Sequence, residues 1–163
     1  MQEKIRKIEK RVEELFNEAD IKYCGKKYFF NTHIKKVKEL ALKIAENHKV
    51  DREVVVLGSL LHDLGYIYEP SNHNNPIYAR EIMEEFGVDD EVIKRVCKIV
   101  ENHKKCEAPD IETRIVQLAD KLSHLNIDFL RMMKKIKKDD FENWFNKKLK
   151  TLEICLKKNI KKL

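Results

Sequence analysis

Residues 54–66, VVVLGSLLHDLGY, restrict what this chain can fold into more than any other stretch. Seven aliphatic side chains (Val54, Val55, Val56, Leu57, Leu60, Leu61, Leu64) leave almost no polar face, so a helix here must be surrounded by other elements. Asp51 is placed to cap its start and Gly65 to end it. The last turn presents His62 and Asp63 side by side. Burying an imidazole and a carboxylate is costly unless something pairs with both; a divalent metal ion would do so. For the pair alone, the competing account is a satisfied core histidine beside a helix-end aspartate.

The rest of the chain supplies further helices. Ile5, Ile8, Val12, Leu15 and Phe16 recur at helical spacing, and residues 20–30 break that period as a connection with aromatic anchors. Asn31 or Thr32 is expected to cap a helix running to about His48, with Ile34, Val37, Leu40, Ala41 and Ile44 inward and His33 bordering that face. After a polar loop, YIYEPSNHNN, Pro76 suits the first turn of a helix closed by Gly87. Asp89 or Asp90 caps the next, whose apolar stripe is extended by His103. Asp110 caps IETRIVQLADKLSHL, in which Asp120 sits among apolar residues.

No segment alternates with period two long enough to argue for a strand, and Gly and Pro together number seven. The expected fold is an all-α bundle forming one domain over residues 1–163. Residues 139–163 form its last, amphipathic helix, with Phe141, Trp144, Phe145, Leu149, Leu152, Leu156 and Ile160 inward and Lys147, Lys148, Lys157 and Lys158 outward.

Charge and cysteine usage narrow the class. The net charge of +6 is a property of the tail: residues 131–163 hold twelve Lys/Arg against four Asp/Glu. No apolar run reaches the ~18 residues needed to span a bilayer, and the first ten residues form no signal peptide. Four cysteines far apart in sequence, without a C-x-x-C pair, fit free thiols in a reducing compartment. A cytoplasmic protein without membrane contact is expected.

His33, His62 with Asp63, and Asp120 therefore fall at inner-face or helix-end positions of successive helices. In this order, and in the settings LGSLLHDLG and VQLADKLSHL, they strongly resemble the HD superfamily of metal-dependent phosphohydrolases, over about residues 30–125. The resemblance implies an all-helical HD-domain bundle in which His33, His62, Asp63 and Asp120 bind one divalent metal. Members with a second metal add two histidines, for which this sequence offers His103 and His73. The spacing to Ala79 is one residue off the family pattern at His73, so Asn74 is the competing occupant and one metal the competing count.

Charge bookkeeping favours two ions. One M²⁺ with two carboxylates and a hydroxide leaves a site of net charge about −1, which repels a phosphate ester; a second ion makes it about +1. Asp63, with two oxygens, is the natural bridge. Histidine and aspartate without thiolate suit Mn, Fe, Co, Ni or Zn better than Ca or Mg. The same set also fits oxygen-activating di-iron chemistry.

Tyr66 occupies the position where some relatives carry a lysine that assists phosphate or leaving group, so its phenol is a candidate donor. Lys104 is a second candidate catalytic residue; it, Lys105 and Arg80 are placed to meet phosphate charge or to remain solvated helix-end cations. Lys121 is read as structural or surface, and His124, i+4 from Asp120, as a candidate support for the ligands. The function expected is hydrolysis of a phosphate ester or anhydride of a nucleotide-like small molecule by a metal-activated hydroxide. The alternatives are a nucleic-acid-binding module using the basic tail with Trp144, Phe141 and Phe145, and a metal or nucleotide sensor without turnover.

Overall fold

The computed structural model describes residues 1–19 and 29–159, and among these there are helices and turns but no strand. The helices are α1 (Gln2–Glu18), α2 (Lys35–Ala45), α3 (Arg52–Leu61), α4 (Gly65–Tyr68), α5 (Ile77–Glu85), α6 (Asp90–Asn102), α7 (Ile111–Ser123), α8 (Ile127–Lys137) and α9 (Phe141–Asn159). The all-α architecture is as the periodicity indicated. No helix is long and apolar enough to cross a membrane.

The apolar helix is central: α3 packs against α1, α2, α6 and α7, and Val54, Val55, Leu57, Leu60 and Leu61 are wholly buried. Asp51 caps it, its carboxylate accepting from the Glu53 and Val54 amides. Arg95 of α6 then donates to Asp51 at 2.9 Å and to Glu112 of α7 at 2.7 Å, fastening three helices at one end. Asp89 and Asp110 cap α6 and α7 in the same way, and Gly87, at φ 62°, closes α5.

Several boundaries differ from the sequence reading. Gly65 does not end the central helix. The helix stops at Leu61, His62 keeps helical angles, and Gly65 opens α4. The absent side chain serves packing instead: a Cβ on Gly65 would lie 2.6 Å from His73 Cα. Asn31 and Thr32 do not cap α2 either, because the chain is already helical before them. Phe30–Ile34 forms one wide π turn, in which the Lys35 amide donates to the Phe30 carbonyl. Phe30, Thr32, His33 and Ile34 are all buried there. Residues 20–28 of the expected connection lie outside the described residues, whereas Phe29 and Phe30 at its end are buried.

The sequence pattern does not single out α8, and on α9 it places Phe141, Trp144 and Leu152 inward as found but misplaces Leu149 and Lys148, while Ile160 lies outside the described residues. Leu149 is 38% exposed, while Leu152, Cys155 and Asn159 are buried and Lys148 points inward with them, contrary to its expected outward place. A lysine stem can lie along apolar surface while its ammonium reaches a polar cavity, and a hydrophobicity stripe does not register that option. The fold also brings two distant cysteines together. Burial and a hydrogen bond with the Cys106 thiol push the Cys155 thiol up to about 12.

Candidate metal centre

All four residues of the expected primary set converge. His33 comes from the π turn, His62 and Asp63 from the turn after α3, and Asp120 from the last turn of α7, and all four are at least 95% buried. His33 Nε2 lies 3.2 Å from His62 Nε2, 3.1 Å from Asp63 Oδ2 and 3.5 Å from Asp120 Oδ1. His62 Nε2 lies 3.3 Å from Asp63 Oδ2 and 3.9 Å from Asp120 Oδ1. Donor atoms held ~2.1 Å from a common ion fall at such separations.

The other oxygen of Asp63 faces a second group. His103 Nε2, at the end of α6, is 3.2 Å from Asp63 Oδ1, and His73 Nε2, after the 3₁₀ turn Pro70–Asn72, is 3.7 Å from it. His73, the less secure assignment from spacing, is thus brought in. Asn74 instead hydrogen-bonds the Glu101 carbonyl. Each cluster of three donors, His33/His62/Asp120 and Asp63/His73/His103, is compact enough to hold a metal ion.

Hydrogen bonds orient the rings. His62 Nδ1 donates to the Ser59 carbonyl at 2.8 Å, and His103 Nδ1 to the Val100 carbonyl at 2.6 Å. Ser123 Oγ gives its own proton to the Asp120 carbonyl at 2.7 Å, so it accepts from His33 Nδ1 at 2.9 Å. These bonds keep a proton on Nδ1 of all three rings, so Nε2, which without an ion can donate to Asp63, is the nitrogen that would give its lone pair to an ion. His73 is held differently. Its Nδ1 faces the Pro70 carbonyl at 3.4 Å and the Lys104 ammonium at 2.9 Å, an acceptor and a donor in competition. Its ring is stacked on Tyr66, with centroids 3.6 Å apart.

The electrostatics suit a cation. Burial alone would raise the Asp63 carboxyl, but the charge on His62 and hydrogen bonds from His103, His33 and His62 hold it well below the usual carboxylate range. Burial likewise opposes ionisation of Asp120, and Lys121, His124, His62 and His33 outweigh it. Burial lowers His33, and pushes His73 down to about 4 with Lys104 and His103 as repelling neighbours. His62 is raised because Asp63 and Asp120 overcome its burial.

Three further residues support the ligands, and the sequence reading missed Ser123 and misplaced Lys148. Lys121 takes the structural of the two roles read for it: it is buried, its ammonium bound to Asp120 Oδ2 at 2.5 Å and to the His103 carbonyl at 2.9 Å. It thereby leaves Asp120 Oδ1 for the histidines. Ser123, three residues after Asp120 on the same face of α7, was findable from that spacing alone. Lys148 reaches in from α9 to His124 Nε2 at 3.3 Å. A cavity of about 380 Å³ opens over His33, Asp63 and His73, walled by Phe29, Tyr66, Phe129, Met133, Trp144 and Lys148. A second, of about 220 Å³, adjoins it on the side of His103, Lys104, Asp120 and Lys121.

The family model of the HD domain matches residues 30–125, the segment that contains both clusters. The chain belongs to the HD domain family. HD domains bind divalent metals, and the His/Asp clusters here have the donors to do so. Two relatives are named tRNA (cytidine(56)-2'-O)-methyltransferase. The one from Thermoplasma volcanium is 38% identical over 82 residues, half of this HD domain chain and 22% of that protein. The one from Picrophilus torridus is 34% identical over 71 residues, 44% of this chain and 19% of that protein. The chain thus spans about a fifth of the length of these relatives. No solved structure gives a significant match.

Proposed function

We propose that this HD domain chain is a metal-dependent phosphohydrolase that cleaves a phosphate ester or anhydride of a nucleotide-like small molecule. The observation that carries the reading is the division of Asp63. Oδ2 faces His33 and His62 while Oδ1 faces His73 and His103, the arrangement of a carboxylate shared between two ions. His33, His62, Asp63 and Asp120 would hold one ion, and Asp63, His73 and His103 the other, with Mn, Fe, Co, Ni and Zn the fitting elements. Such ions supply the acidity that makes water a nucleophile near neutral pH and the positive charge that offsets a phosphoryl group.

The chain's own residues do the rest. Lys121 fixes Asp120 through its Oδ2, and Ser123 fixes the His33 tautomer. Lys104 stands at the rim of the smaller cavity, placed to meet a phosphoryl oxygen and to answer the charge on a leaving group. Tyr66 holds the His73 ring by stacking and lines both cavities with it. Metal analysis of the purified protein, with hydrolysis assays on bis(p-nitrophenyl) phosphate, p-nitrophenyl phosphate and nucleotides, tests the reading. Asp63→Asn should lose bound metal and turnover together; undiminished metal and turnover in that variant would overturn it.

A second reading takes RNA as partner, supported by the named substrate of the relatives and by the exposed Lys134, Lys135, Lys147 and Lys150 on α8 and α9. Under it, RNA affinity falls steeply with salt and survives Asp63→Asn.

A further inference from the structure

We propose that α8 and α9, which lie beyond the family segment, complete a binding pocket for a single nucleoside monophosphate, with Lys148 meeting the phosphate and Trp144, Phe129 and Met133 receiving the planar base. The inference rests on the phosphohydrolase reading and names the substrate class of the same site.

The polarity of the larger cavity carries the argument. One side is the His/Asp centre, which with its ions attracts an anion. The opposite side is aromatic and apolar and comes from residues after 125: Phe129 and Met133 from α8, Trp144 from α9. A ligand that fills both sides is anionic at one end and flat and apolar at the other. The volume, about 380 Å³, lies at the small end of the ~300–1,000 Å³ range of ligand pockets. It accommodates one nucleotide, whereas a dinucleotide would overfill it.

Lys148 marks where the anion goes. Its ammonium is drawn below the protein surface at a desolvation cost that also lowers its pKa. Its contacts there are His124 at 3.3 Å and the face of Trp144 at 5.9 Å, and no carboxylate among the described residues forms an ion pair with it. It lines both cavities, between the centre and Trp144. Lys104 lines the smaller cavity with it, whereas Lys121 is committed to Asp120. Two cations that form no ion pair with a carboxylate among the described residues, beside two metal ions, favour the dianion of a phosphate monoester over the monoanion of a diester.

Trp144 is the single tryptophan of the chain, so its emission reports on the pocket directly. The metal-loaded protein is titrated with the non-hydrolysable phosphonate analogue of adenosine monophosphate and with inorganic phosphate. The analogue should bind at least tenfold more tightly than phosphate and quench Trp144, while phosphate binds without quenching. Lys148→Gln should weaken both about tenfold at unchanged metal content, with Lys148→Arg restoring them, and Trp144→Ala, titrated by calorimetry because no tryptophan remains, should erase the preference for the analogue. Equal affinity for the two probes in the unaltered protein, or unchanged affinities in Lys148→Gln, would overturn the proposal. If this binding pattern holds while no phosphate compound is hydrolysed, the phosphohydrolase reading falls and the pocket stands; normal hydrolysis with the pattern absent removes only the pocket.

Discussion

Replacing Gly65 by alanine places a methyl group where the backbone of His73 already lies. The new Cβ would be 2.6 Å from His73 Cα and 2.7 Å from its carbonyl carbon, against ordinary contact from 3.4 Å. The strand of chain carrying His73 must therefore retreat by about 0.8 Å, and no flexible side chain can absorb the move. His73 Nε2 is 3.7 Å from Asp63 Oδ1, so the retreat takes the pair to about 4.5 Å. Two donors on one ion at ~2.1 Å each can be at most ~4.2 Å apart. Gly65→Ala should therefore reduce tightly held metal from two ions per chain to one, read by elemental mass spectrometry after dialysis. Overpacking of this kind costs about 1–3 kcal/mol; at about 2–4 °C per kcal/mol for a chain of this size, calorimetry should show Tm lower by several degrees. Two retained ions and an unchanged Tm would refute the close approach and the role of His73 together.

Ser123→Ala removes the acceptor for His33 Nδ1 and should weaken metal binding about 10- to 100-fold in a chelator competition, with little change in the helical circular dichroism spectrum. His124 is pushed down to about 3 by burial, with Lys148 also repelling its proton, against an ordinary 6.5. Between those values the unfolded chain binds the extra proton, so its contribution is full above pH 6.5 and is lost as pH falls towards 3, by up to about 1.4 kcal/mol per pH unit. Urea denaturation of metal-free protein should show a shallower acid slope in His124→Gln than in the unaltered chain. Asp51→Ala removes the cap of α3 and a half-exposed partner of Arg95; a loss of about 0.5–2 kcal/mol, mostly from the cap, should appear in the same urea assay.

The parts legible in the sequence were those fixed by local chemistry. Asp51, Asp89 and Asp110 are caps because a short carboxylate before an apolar run has one good use there, and Gly87 closes a helix because it tolerates φ 62°. His33, His62, Asp63, His103 and Asp120 were visible as polar interruptions of apolar faces. The misreadings arose where two elements had to be placed against each other. Gly65 looks like a helix stop in one dimension and is a contact surface for His73 in three. Lys148 has the composition of a solvated residue, yet its stem lies along packed helices and its ammonium ends beside the centre at His124. Cys106 and Cys155, 49 positions apart in the chain, meet only because α9 folds back over α7.

The wide turn at Phe30–Ile34 gives the centre a dependence on residue count. An unbroken α-helix would reach Lys35 with one residue fewer, so loss of one residue just after His33 would keep the chain before the turn in register and turn His33 itself by about 100° around the axis. The imidazole would then leave the cluster for the buried place of Ile34, although no atom of Asp63, Ser123 or Asp120 had been altered. The meeting of these donors is thus encoded by length as well as by composition, and a one-codon deletion should break it while every donor side chain is kept.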